Sequence, residues 1–188
     1  MAAYNEEKNI AAIIAQLQKM SYSIVVCNDG SSDMTGEIAE KMGVTVINHK
    51  RNLGFGAALR SIFLKANELN ADILVTIDAD GQHNPLEIKD ILKPVENNEA
   101  DVVIGSRFSG KTSKIPKYRI IGIKAINKLT SSNSENKLID PLSGFRAYTK
   151  KVFKEILPAD SGMGGSTEVL IKANQRKFRI VEIPILVS

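Results

Sequence analysis

The chain has 188 residues, 43% of them hydrophobic, enough for one compact domain with a substantial core. Its net charge of +4 suits an anionic partner without pointing to nucleic acid, and a single cysteine excludes an internal disulfide and fits a reducing compartment. Every apolar run is cut well short of the roughly 18 residues a membrane-spanning helix needs, and Glu6, Glu7 and Lys8 stand where a secretory signal would be apolar.

In chain order, short β-branched runs predict strands over 23–27, 44–48, 73–77 and 102–105, each nearly unbroken in its hydrophobicity, as a strand buried on both faces requires. Helical patterns over 32–42, 54–69 and 85–95 alternate with them. The third has a well-marked start, with Asn84 as N-cap, Pro85 at the first helical position and Glu87 three residues after the cap. This alternation is that of an α/β domain, a largely parallel sheet covered by helices on both faces. Beyond Arg107 a basic loop leads to a helical stretch over 120–129 and a polar loop over 131–143. A strand over 145–148, helices over 151–156 and 167–175 and a strand over 179–183 complete the order. Cys27, inside an apolar run, reads as a core residue.

The run Ile73 to His83 carries a buried strand straight into Asp78, Asp80, Gln82 and His83, outside the carboxyl end of the strand, where open α/β sheets place ligands. Two carboxylates one residue apart can face one hard cation, with the amide oxygen of Gln82 joining them. The alternative is an ordinary solvated loop. In Asn28-Asp29-Gly30-Ser31-Ser32-Asp33, Asp29 is the ligand candidate for a ribose or base and Asp33 the structural residue. Gly54 and Gly56 stand at a helix mouth, a pattern that serves either phosphate approach or close packing. Arg107 follows a strand and is either solvated or in reach of a diphosphate. The acid-free stretch containing Lys111, Lys114, Lys117, Arg119, Lys124 and Lys128 interleaves cations with Ile115, Ile120, Ile121, Ile123, Ile126 and Leu129. It suits an anionic membrane surface and equally a solvated helix with a core face.

Tyr4-Asn5-Glu6-Glu7, Asn28 to Asp33, Arg51-Asn52-Leu53-Gly54-Phe55-Gly56, Asp78-Ala79-Asp80-Gly81-Gln82-His83, Gly105-Ser106-Arg107-Phe108 and Ser143-Gly144-Phe145-Arg146 occur in this order. The set resembles family 2 glycosyltransferases, and within them the dolichol- or polyprenol-phosphate mannose or glucose synthases. The resemblance implies a three-layer α/β/α glycosyltransferase A fold in a single domain over 1–188, a nucleotide-diphosphate sugar donor, Mg²⁺ or Mn²⁺, and inversion at the anomeric carbon. It puts Tyr4, Glu6, Asp29, Gly54, Asp78, Ala79 and Arg107 around the nucleotide sugar. Asp78, Asp80 and Gln82 fall at the metal, and Arg107, Arg119 and Arg146 at phosphates, the last two at the acceptor's. Asp80, Arg107 and Glu168 are the implied catalytic residues. The implied location is the cytoplasmic face of a membrane, with peripheral contact through 111–129; self-association is left open.

A hydroxyl acceptor would need a general base, and Glu168 stands where relatives carry an acidic pair, although it also suits a helix start. A phosphate monoester, with a second pKa of about 6, is already ionised at neutral pH and needs cations instead. That favours a lipid phosphate; a glycan hydroxyl or an inactive nucleotide-sugar-binding module are the rivals. Two departures stand out: the strand that precedes Tyr-Asn-Glu in relatives is absent from Met1-Ala2-Ala3, and the segment relatives carry after the last strand is not present. A nucleotidyltransferase would open on a Gly-rich basic loop, and a processive polysaccharide synthase would need a later tryptophan motif.

Overall fold

The computed structural model describes residues 1–107 and 138–186. Among the described residues, seven strands, β1 Ala2–Ala3, β2 Val25–Asn28, β3 Thr45–Asn48, β4 Ile73–Thr76, β5 Val102–Ser106, β6 Arg146–Thr149 and β7 Ile180–Pro184, are accompanied by six α-helices. The helices are α1 Ile10–Gln18, α2 Thr35–Lys41, α3 Phe55–Glu68, α4 Ile88–Glu96, α5 Lys150–Glu155 and α6 Gly164–Gln175, and a 3-10 turn, Pro85–Glu87, leads into α4. The expected helix over 120–129 lies outside the described residues.

The strands form two hydrogen-bonded groups. One is β1-β2-β3, parallel throughout; the other is β4-β6-β5-β7, in which β6 runs antiparallel to both neighbours and β5 and β7 are parallel. The antiparallel β6 is compatible with the largely parallel sheet expected, and the described chain enters it from the loop at 138–145. β1 corrects one expectation. A two-residue strand is present, with Ala2 opposite Cys27 and Ala3 opposite Asn28. Below it, an apolar cavity of about 540 Å³ is bordered by Ile24 and Val25 on one side and Ile73, Leu74 and Val75 on the other.

Both faces of the second group are buried, since alternate side chains along β5 enter different cores: Val103 joins the layer of α1, α2 and α4, while Val102 and Ile104 join that of α3, α5 and α6. This is the period-2 consequence of a sheet covered twice. Helix α1 has no counterpart among the expected elements. It buries Ile10, Ile13, Ile14 and Leu17, a spacing of i, i+3, i+4 and i+7 that puts all four on one stripe. Each is worth about 2 kcal/mol of burial. On the opposite layer, Phe63 meets Tyr148 and Phe153 edge-on at ring separations of 5.1 and 6.4 Å. Cys27 is fully buried, and burial pushes its thiol up to about 12, so it stays a protonated core residue.

Candidate active site

Strand β4 ends at Thr76 and delivers Asp78 and Asp80 to the carboxyl end of the sheet. Ile77 before them and Ala79 between them are buried in the core, so the two carboxylates alternate with core residues just past the strand end. The Ala79 side chain is thus core. Asp80 is exposed, and its Oδ1 accepts the Gln82 amide at 2.9 Å, a tight turn made possible by Gly81 at φ +79°. Gln82 itself is exposed. The Asp78 carboxylate lies directly over Gly144, where an added Cβ would come within 2.2 Å of Oδ1. On its other flank, His83 Nε2 lies 3.1 Å from Asp78 Oδ2. The Thr76 hydroxyl donates to the Gly144 carbonyl at 2.8 Å, tying the ends of β4 and β6 together at this point.

Arg107, at the end of β5, makes a bidentate pair with Asp140, Nε to Oδ2 at 2.7 Å and Nη2 to Oδ1 at 2.9 Å. The hydrogen bonds it donates to Asp140 hold the guanidinium more firmly protonated, against a smaller opposing effect of burial, and the charges of Asp140, Asp78 and Asp80 add to this. The cation is thus within electrostatic reach of the two carboxylates. Asp140 is placed in turn by Glu182 of β7, whose carboxylate accepts the amides of Ile139 and Asp140, both at 2.7 Å. Burial raises the Glu182 carboxyl above its ordinary range. Neither Asp140 nor Glu182 was expected at the site. Asp140 stands three residues before Ser143, the start of the Ser143 to Arg146 motif, and that proximity is the signal that points to it.

The loops beside this centre are cross-braced. Asn5, at φ +57°, donates its amide to the Ser31 hydroxyl and accepts from the Ser32 amide; the Glu6 amide donates to Thr35; Glu7 accepts from the Met34 amide. Tyr4 is about half exposed and Glu6 holds the Asn9 amide. Asp29 differs from expectation. Its Oδ1 meets His49 Nδ1 at 2.6 Å and the Leu53 amide at 3.0 Å, and its Oδ2 meets the Gly54 amide at 2.8 Å. Only 4% exposed, it anchors the 51–54 loop, as Asp33 anchors 33–35. His49, unnoticed in the sequence, passes this brace to α3 through the Ser61 hydroxyl at 2.8 Å.

The glycine pair resolves as close packing. A Cβ on Gly54 would fall 2.4 Å from the Ser161 carbonyl oxygen and one on Gly56 2.1 Å from that of Asp160, while the Gly56 and Ala57 amides donate to Gly162 and Ser161. The first amides of α3 are thus consumed by the 160–162 loop.

Two expected residues are engaged within the fold. Arg146 is fully buried and donates to the carbonyls of Ser143, Pro141 and Ser166 at 2.7–2.8 Å. Glu168 accepts the Ala159 and Asp160 amides and pairs with Lys172 at 2.6 Å. Partial burial pushes its carboxyl up, but the Lys172 and amide hydrogen bonds outweigh this and leave it below the ordinary range. Arg119 and the basic stretch 111–128 lie outside the described residues.

Asp78 and Asp80 present hard oxygen donors, which fit Mg²⁺ or Mn²⁺. Among the described residues there is no cluster of three or more His, Cys, Asp or Glu that could hold a metal, so an ion here would rely on ligand oxygens brought by a phosphate.

The sequence profile described as Glycosyl transferase family 2 matches residues 1–157. A UDP-N-acetylglucosamine–dolichyl-phosphate N-acetylglucosaminyltransferase of Methanococcus voltae is 34% identical, over 97% of this chain and 82% of that protein. A dolichyl-phosphate hexose transferase of Haloferax volcanii is 32% identical, over 98% and 79%. In structure, glucosyl-3-phosphoglycerate synthase from Mycobacterium tuberculosis, solved with Mn²⁺, UDP-glucose and phosphoglyceric acid, superposes with a TM-score of 0.76 at 20% identity, covering 100% of this chain and 69% of that one. At that identity the likeness establishes the fold.

Proposed function

The chain belongs to glycosyl transferase family 2 and is a glycosyltransferase, and from that premise we propose that it moves a hexose from a nucleoside diphosphate sugar of the GDP-mannose or UDP-glucose type to a polyprenyl or dolichyl phosphate. The observation that carries the reading is the pair Asp78 and Asp80 following β4, with the Arg107 cation, held by Asp140, within electrostatic reach of them. A divalent ion bound there would offset the negative charge that grows on the departing diphosphate.

The chain's own residues do the rest. Asp78 and Asp80 would hold a divalent ion, with Gln82 as a third oxygen donor, and the ion would supply positive charge to the donor's diphosphate. Arg107, locked in plane by Asp140, adds a fixed positive charge that needs no reorganisation as the leaving group forms. Tyr4 and Glu6, with the braced loops at 28–35 and 51–54, form the nucleotide side. The C–O bond from the anomeric carbon to the diphosphate breaks as a bond forms to an oxygen of the incoming phosphate, with inversion.

Glu168 bears on the acceptor. With its carboxylate committed to Lys172 and two amides, this glutamate is poorly placed to deprotonate a hydroxyl, whereas a phosphate nucleophile requires no deprotonation. The relatives' lipid-phosphate acceptors support the same choice. No helix among the described residues is long and apolar enough to cross a membrane. The contact with the lipid, on the cytoplasmic face, is proposed for the stretch 111–129 because its sequence interleaves lysines and arginine with isoleucines. The test offers a short polyprenyl phosphate, the corresponding dephosphorylated polyprenol and 3-phosphoglycerate to the protein with a panel of UDP- and GDP-sugars. Transfer to the lipid phosphate alone is expected; transfer to the alcohol or to phosphoglycerate would overturn the acceptor assignment.

A further inference from the structure

His83 is 3% exposed, with its ring packed on Phe145 at a centroid separation of 5.2 Å. Its Nδ1 is buried without a hydrogen-bond partner among the described residues, whereas its Nε2 lies 3.1 Å from Asp78 Oδ2. Burying an imidazole with one nitrogen unsatisfied is a cost that a leucine or phenylalanine on the same aromatic neighbour would avoid. What the imidazole supplies is a single donor. The Asp78 carboxylate can only accept, so the proton sits on Nε2.

The position of that donor matters because Asp78 has little else to hold it. Gly144 leaves room for the carboxylate and supplies no hydrogen bond to it, and among the described residues no donor reaches Oδ1. One oxygen is therefore tied to His83 and the other is left for a ligand. We propose that His83 is a positioning residue, fixing the Asp78 carboxylate so that Oδ1 is presented to the divalent cation. This inference rests on the metal site of the proposed function, and it adds a residue whose bond to a ligating carboxylate sets the ion's affinity.

The test uses a nearly isosteric pair. His83→Gln keeps an N–H donor at about the distance of Nε2, and His83→Met fills the same space without one. Mn²⁺ binding is followed by electron paramagnetic resonance in the presence of UDP, with thermal melting as the check on folding. The expected result is Mn²⁺ affinity about tenfold weaker in His83→Met, with His83→Gln close to the wild type. Equal affinity in all three proteins would overturn the inference and leave the metal site standing. Equal weakening in both variants would make His83 a packing residue only, again overturning it. Absence of Mn²⁺ binding in the wild type itself would remove the metal site and the inference together. If His83→Met does not fold, His83→Asn, whose amide is too short to reach Asp78, takes its place with the same outcomes.

Discussion

Arg107 and Asp140 form a planar, two-bond ion pair, and the carboxylate half of it is only 1% exposed. Asp140 cannot be replaced without leaving a guanidinium in a poorly solvated place. Asp140→Asn is expected to lower the unfolding free energy by about 3 kcal/mol, read from urea titration. Arg107→Lys, which cannot make both bonds, is expected to keep more stability yet lose transfer rate, because the fixed charge facing the donor phosphates becomes mobile.

Gly144 carries the converse expectation, a loss of function with little loss of fold. The Cβ of Gly144→Ala meets the end of the Asp78 side chain, which can swing away. Melting should change little, while turnover falls at least about tenfold because the carboxylate has left its place. A variant with full activity would show that Asp78 need not sit where it does.

Arg146→Lys separates a structural arginine from an acceptor ligand. Its guanidinium serves three carbonyls that a single ammonium cannot reach together, so the expected cost is about 2–4 kcal/mol of stability, with an unchanged KM for the lipid phosphate. A raised KM at unchanged stability would return Arg146 to the acceptor site.

Glu168 makes stability depend on acidity in one direction. Its folded-state carboxyl lies below the ordinary glutamate value of about 4.3, so its contribution is fully present above that value and is lost as pH falls through the folded pKa. The difference in melting temperature between wild type and Glu168→Gln should be flat near neutrality and close on acidification. A gap that opens at low pH would contradict this.

The strands and most helices were legible because buried apolar runs between turn residues leave little choice, and Asp78 and Asp80 were legible because a strand aims them. What escaped has common causes. Helix α1 follows directly on the polar Tyr4 to Lys8 motif, with no side-chain cap to mark its start, and only the helical spacing of Ile10, Ile13, Ile14 and Leu17 betrays it. The antiparallel course of β6 depends on where a loop returns, which local pattern does not record. Arg146 and Asp29 belong to recognisable motifs, yet their partners, backbone carbonyls for one and backbone amides with His49 for the other, come from distant segments. Motif membership marks a residue as important without saying whether it serves the ligand or the loop that meets it.

The most direct test of the central claim is transfer of labelled sugar from the preferred nucleotide donor to a short polyprenyl phosphate, with Mn²⁺ or with EDTA, by the wild type and by Asp80→Asn. Transfer that requires the metal and falls by two orders of magnitude or more in Asp80→Asn, roughly the scale of losing a charged stabiliser of the leaving group, is the predicted result. Undiminished transfer in EDTA or by Asp80→Asn would contradict it.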